Sequence, residues 1–232
     1  MKEKSFSLDK DKKADASNRL THPVPQVESS FYFQKKIDGK GQFMSYWHQI
    51  NEIFSLKPES TLEIGKGTAF VSTYLKDRGV NIRTLDIVEE LNPDVVGSVF
   101  NIPFKNNVFE VVACFEVLEH LPYENFKKSL QEIFRVCEKY TVISLPQDMK
   151  RTYRIFMSIP RTKGIKKIFT LPYFRKPTHP FSKQHYWEIG MKGFPLSRIK
   201  KDILKAGFEI EKTYRVFEKL FHRFFILKKV SP

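Results

Sequence analysis

The sequence is poor in the features that mark several protein classes. Two cysteines, Cys114 and Cys137, in 232 residues are too few for a disulfide scaffold. They fall within a predicted strand and the helix after it, read as reduced core residues, and form no zinc-type Cys/His spacing. No apolar run reaches the length of a membrane span, and the start, Met1-Lys-Glu-Lys-Ser-Phe, has no hydrophobic signal core. Those absences point to a cytoplasmic protein. Acid is scarce in one region only. Residues 1–147 carry 19 Lys+Arg against 20 Asp+Glu, whereas residues 148–232 carry 21 against 6. The whole excess of +14 therefore lies in the C-terminal third. Such a basic face implies nucleic acid, an acidic membrane surface or an anionic small-molecule or glycan partner, or else serves only solubility.

What is present is enough apolar and aromatic material, 41% and 14%, for one domain with a core. The chain is organised around Thr61-Leu-Glu-Ile-Gly-Lys-Gly-Thr-Ala69, followed by Asp86. A short apolar strand turns through Gly65 and Gly67 into an amphipathic helix carrying Phe70, Val71, Tyr74 and Leu75, which Gly79 stops. A second strand over 80–87 ends near Asp86. Glycine lets backbone approach a ligand, the helix N-terminus offers unpaired N–H groups, and a carboxylate some 20 residues on takes ribose hydroxyls. This is the pattern of a nucleoside site in a Rossmann-like sheet. The alternative is an ordinary strand-to-helix turn. Glu63 favours a site, because a carboxylate inside an apolar strand is costly unless used or paired.

The order Leu62-Glu-Ile-Gly-x-Gly-Thr68, Asp86, Asn101-Ile-Pro-Phe104, Val108-Phe-Glu-Val-Val112 and Phe115-Glu-Val-Leu-Glu-His-Leu-Pro122 resembles the class I S-adenosylmethionine-dependent methyltransferases, specifically their broad small-molecule-type (methyltransferase type 11-like) group. The resemblance spans about 61–146. It implies a seven-stranded α/β sheet of order 3-2-1-4-5-7-6, the last strand antiparallel, with helices on both faces. It implies S-adenosylmethionine as cofactor: Glu63, Gly65 and Gly67 at the methionine end, Asp86 on the ribose, Ser98 and Val99 at the adenine edge, Ile102 and Phe104 as its wall, and Phe115 beside it. Ser98 stands where the family usually has aspartate, and Ala69 where a third glycine is common.

Candidate acceptor-side groups follow from position. Glu116, Glu119 and His120 lie after the buried strand over 108–117, where open α/β sheets bind ligands, and His120 is a candidate base. The other reading has His120 only shaping its loop. Beyond the fifth strand, about 147–193 reads as an inserted basic, aromatic cap cut by prolines. It is a substrate cover, an interfacial segment or an RNA-facing arm. Near its end, Phe181-Ser-Lys-Gln-His-Tyr-Trp-Glu-Ile189 offers His185 as a second candidate base, or as a histidine satisfied inside the cap; His179, just before it, is a weaker candidate.

The remaining elements frame this core. Residues 1–28 read as a flexible tail, and 29–232 as the domain. Phe31-Tyr-Phe33 is either a lid or a packed arm. Residues 42–54 read as a helix by the spacing of Phe43, Tyr46, Trp47, Ile50, Ile53 and Phe54. The end of the chain reads as a helix over 195–206, with Leu196, Ile199, Ile203 and Leu204 inward, and strands over 208–217 and 221–230.

The expected activity is methyl transfer to an anionic small-molecule or glycan/lipid-linked acceptor. Four alternatives stand beside it. A nicotinamide or flavin enzyme would want the missing third glycine. A nucleic-acid methyltransferase would use the basic third, though the Asn/Asp-Pro-Pro-Tyr/Phe motif of base-amine methylation is absent. The others are a non-catalytic cofactor-binding protein and a peripheral membrane protein.

Overall fold

A computed structural model describes residues 39–158, 160–161, 164–171 and 185–230. The predicted tail over 1–28, the Phe31–Phe33 segment and His179 lie outside the described residues.

Seven strands form one sheet. They are β1 (Thr61–Ile64), β2 (Ile82–Asp86), β3 (Val95–Val96), β4 (Phe109–Phe115), β5 (Cys137–Pro146), β8 (Phe208–Arg215) and β9 (His222–Lys229). Two more, β6 (Thr152–Met157) and β7 (Ile165–Thr170), make a separate hairpin. The order in the large sheet is β3-β2-β1-β4-β5-β9-β8. The first five strands pair in parallel, and β9 runs antiparallel to β5 and β8. This is the expected Rossmann-like sheet.

The helices α1 (Lys40–Leu56) and α2 (Phe70–Asp77) cover one face, and α3 (Tyr123–Val136) and α4 (Leu196–Lys205) the other. All seven residues of β4 are buried. Val111, Ala113 and Phe115 join Tyr46, Ile53, Val71 and Leu75 on one side, while Val112 and Cys114 join Phe126, Leu130, Ile133 and Ile203 on the other. A parallel strand covered on both faces reads as a continuous apolar run, and this one does.

Several predicted boundaries shift. The third strand, which the sequence reads over 94–99, shrinks to Val95–Val96, because the chain turns at Gly97 and closes the Ser98–Asn101 bridge. Cys137 opens β5 rather than ending α3; both cysteines are buried and free. Leu204 is exposed, whereas α4 buries Ile199, Asp202 and Ile203 and packs the partly buried Leu196 on the same core. The exposed side of α1 carries Phe43, Trp47 and Phe54, which with Phe70 and Tyr74 of α2 line a shallow groove. The region 147–193 is described only in part. What the described part forms is the β6–β7 hairpin, seated on the β8–β9 connection by Arg154 Nη1 to Phe217 O at 2.9 Å and Lys166 to Glu218 at 2.7 Å.

Candidate active site

The turn after β1 is shaped by backbone conformation. Gly65 and Gly67 have φ of +83° and +49°, and Ala69, just before α2, has +61°. A Cβ on Gly65 would lie 2.3 Å from Val117 Cγ2, so the loop after β4 packs directly on the bare glycine. Ala69 adopts the left-handed conformation that glycine takes more readily, without being glycine.

Asp86 holds this turn in place. Its Oδ2 accepts the Lys66 N–H at 2.8 Å and its Oδ1 the Val88 N–H at 3.0 Å. Each oxygen keeps a second lone pair for a ligand. Lys66 Nζ reaches over to the Leu91 carbonyl at 2.8 Å, closing the loop after β2.

A cavity of about 450 Å³ opens at the C-terminal ends of β1 and β4. Of the predicted residues, Glu63, Gly65, Gly67, Phe115, His120 and His185 line it. Asp86, Ser98, Val99 and Ile102 stand outside it. Val99 and Ile102 are buried in the core, and the Ile102 N–H is taken by Glu132 at 2.9 Å. Ser98 is buried with no hydrogen-bond partner for its Oγ among the described residues.

The electrostatics are dominated by buried carboxyls. Burial pushes Glu63 up to about 8, with Ser72 and Lys76 pulling the other way. Burial also raises Glu116 to about 8 and holds Glu119 well above the ordinary carboxylate range, each aggravated by neighbouring acid. Glu116 sits at the end of β4 with φ of +53°, a conformation uncommon for a non-glycine residue. Its Oε2 lies 3.7 Å from His222 Nε2. The His222 ring is hydrogen-bonded to Ser45 Oγ at 2.7 Å, and burial drives its pKa down to about 3, so it is neutral.

His120 and His185 meet edge to face, with ring centroids 4.9 Å apart. They come together because the segment carrying His185 is pinned to the turn carrying His120. The Tyr186 N–H donates to the Glu119 carbonyl at 2.9 Å, and Trp187 Nε1 donates to the Leu121 carbonyl at 3.1 Å. His185 also stacks on Phe221 and bonds Glu188 through Nδ1 at 3.1 Å.

Sequence reasoning missed Gln42, Gln49, Lys219, Phe221 and His222, all on the cavity wall. Gln42, Tyr46 and Gln49 recur at helical spacing on one face of α1, a signal that was readable. His222 gave none, since only the return of β9 beside β5 brings it in. His48, by contrast, turns away to Tyr214 at 3.1 Å.

Residues 62–144 match the model of a family described as a methyltransferase domain. The structure is similar to that of a magnesium protoporphyrin IX methyltransferase from Synechocystis with bound S-adenosylhomocysteine, at TM-score 0.58 and 15% identity, covering 94% of each chain. It is similar to an S-adenosylmethionine-dependent methyltransferase from Clostridium acetobutylicum, at TM-score 0.58 and 11% identity, over 88% of this chain and 98% of that one. A third is the Burkholderia thailandensis 1,6-didemethyltoxoflavin-N1-methyltransferase, at TM-score 0.51 and 13% identity, over 90% and 94%. No curated protein matches the sequence.

Proposed function

Taking residues 62–144 as a methyltransferase domain, we propose that this protein uses S-adenosylmethionine to methylate an anionic small-molecule or glycan/lipid-linked acceptor. The observation that carries the reading is the cavity at the glycine turn. It joins a close-approach backbone to buried acid on one side and to two imidazoles on the other.

The residues present fit the cofactor. Glu63 Oε2 and Ser98 Oγ are buried without hydrogen-bond partners among the described residues. Glu63 suits the cationic methionine end, and Ser98 the adenine edge, with Val99 and Ile102 behind it. Asp86 has lone pairs left for the ribose hydroxyls, and Phe115 and Gly67 close the middle of the site. When bound, the cofactor supplies a sulfonium-activated methyl group. The chain's part is to hold an acceptor in line with that methyl, exclude water and receive or hold the acceptor's proton. His120 and His185 have the position for it. His120 sits in the turn after β4, and His185 stacks on Phe221 just before β9, both on the wall of the same cavity.

The domain is taken to run over 29–232, with 147–193 as the acceptor-side cover. In support, the β6–β7 hairpin rests on the same β8–β9 connection that supplies Lys219 and Phe221 to the cavity. The related proteins named above act on unlike acceptors, a porphyrin and a toxoflavin precursor, so the acceptor is argued from charge. The basic excess over 148–232 favours an anion.

Calorimetric titration with S-adenosylmethionine tests the reading. Asp86→Ala is a poor probe, since Asp86 also holds the Lys66 and Val88 backbone. Glu63→Gln is cleaner. Burial keeps Glu63 protonated near neutral pH, so a cation arriving beside it should expel the proton. Lys66, Lys76 and Asp86 are the charged groups acting on Glu63, and Ser72 its polar neighbour. Wild type should therefore bind with an enthalpy that depends on the buffer's ionisation enthalpy, and Glu63→Gln should lose that dependence. S-adenosylhomocysteine, lacking the sulfonium charge, should release less. No binding by folded wild type would refute the cofactor assignment.

A further inference from the structure

Glu119, His120 and His185 each bring a potential ligand atom to within 4.8 Å of the others. Two of them are neighbours in the short turn Leu118–His120 after β4, and the third arrives from the far end of the inserted segment. Their meeting is built, because the Tyr186 N–H and the Trp187 indole both bond the backbone of 119–121. Glu119 is fully buried beside the Glu116 carboxyl, and neither of its oxygens makes a well-formed hydrogen bond among the described residues. A group so placed is expensive unless something charged or hydrogen-bonding meets it. Glu116 lines the same cavity, and its Oε1 is likewise buried without a hydrogen-bond partner among the described residues.

We propose that Glu119, His120 and His185 bind a divalent metal ion, with Glu116 as a further donor on the same wall. Mixed imidazole and carboxylate donors suit Mn²⁺, Fe²⁺, Co²⁺ or Zn²⁺ better than all-oxygen ions such as Mg²⁺. The His185 Nδ1 contact with Glu188 is the carboxylate–histidine arrangement that fixes a ligating ring. Bonds of about 2.0–2.2 Å put two donors of one ion no more than roughly 4.4 Å apart. The observed spread therefore closes by a few tenths of an ångström or somewhat more, which the half-buried imidazoles reach by small rotations.

The ion's remaining positions would face the cavity. Resting on the methyltransferase reading, this narrows the acceptor to one that offers oxygen, a hydroxyl or two adjacent oxygens, to a metal. It also assigns the two histidines to holding the ion rather than to acting as free bases.

The test needs neither cofactor nor acceptor. Full-length protein, stripped with chelator, is titrated with Mn²⁺ by electron paramagnetic resonance and with Co²⁺ by visible absorption. One ion per chain is expected, with Co²⁺ ligand-field bands. His185→Ala and Glu119→Gln should each weaken binding by about tenfold or more, and His48→Ala, outside the site, should not. His185 is the variant that decides if burial makes Glu119→Gln unstable. Failure of folded wild type to bind either ion, or equal binding by the His185 variant, would overturn the site. The same stripped sample is titrated with S-adenosylmethionine. Cofactor binding without metal binding removes the metal inference alone, and metal binding without cofactor binding removes the methyltransferase reading while leaving the ion site standing.

Discussion

Glu63 shows what one side chain contributes. It lies in β1, all four of whose residues are buried, and its pKa is raised to about 8 from an ordinary 4.5. The folded state then binds more protons than the unfolded chain between those values. Stability due to Glu63 is complete below about pH 4.5, falls as pH rises through about 8, and is flat above. The loss is on the order of a few kcal/mol. Glu63→Gln should flatten this, melting higher than wild type at about pH 9 and close to it at about pH 5 in thermal scans. Gly65 is the converse case. Gly65→Ala forces a Cβ into a φ of +83° and onto Val117 Cγ2. Val117 is β-branched and turns away poorly. A loss of about 1–3 kcal/mol in denaturant unfolding is expected, together with lost cofactor binding by calorimetry.

At the scale of elements, the segment 185–191 matters more than its length suggests. Trp187 is fully buried, packed against Tyr123 and Phe126 with centroids 5.0 Å away in each case. Tyr123 in turn donates to the buried Asp202 of α4 at 2.7 Å. Trp187 thus ties the end of the insertion to α3 and α4, and holds His185 next to His120. Trp187→Phe keeps most of the packing but leaves the Leu121 carbonyl without its indole donor. It should cost about 1–3 kcal/mol in thermal or chemical unfolding. On the proposed function, turnover should fall, because His185 loses its footing, while the Kd for S-adenosylmethionine, whose proposed contacts lie around β1 and β2, stays unchanged.

The whole molecule divides by charge. The half of the sheet from β3 to β4 carries the glycine turn and Asp86, and the basic third contributes the hairpin, α4, β8 and β9. Arg215, buried in β8, ties the basic third to itself, donating to Leu220 O, Thr152 Oγ1 and Asp148 O. Among the described residues no helix is long and apolar enough to cross a membrane. If the proposed anionic acceptor meets this basic third, its recognition is salt-sensitive. KM for an anionic acceptor should rise with ionic strength, while the Kd for the enclosed cofactor changes little; a salt-independent KM would count against an anion.

The sequence by itself determined the sheet, the glycine turn and the family resemblance. These rest on local signals: a both-faces-buried strand is a continuous apolar run, a left-handed turn wants glycine, and an amphipathic helix repeats every few residues. It marked Glu63, His120 and His185 as candidates one at a time. Only the tertiary structure decided that Glu119, His120 and His185 meet, that His222 joins the cavity, and that the described stretch over 152–170 pairs as a hairpin. Those outcomes depend on contacts between residues far apart in the chain. Strand β9 returns beside β5 in the order that the resemblance implies, but which of its side chains reach the cavity, and that Trp187 finds its slot between α3 and the turn after β4, leave no trace in the residues brought together.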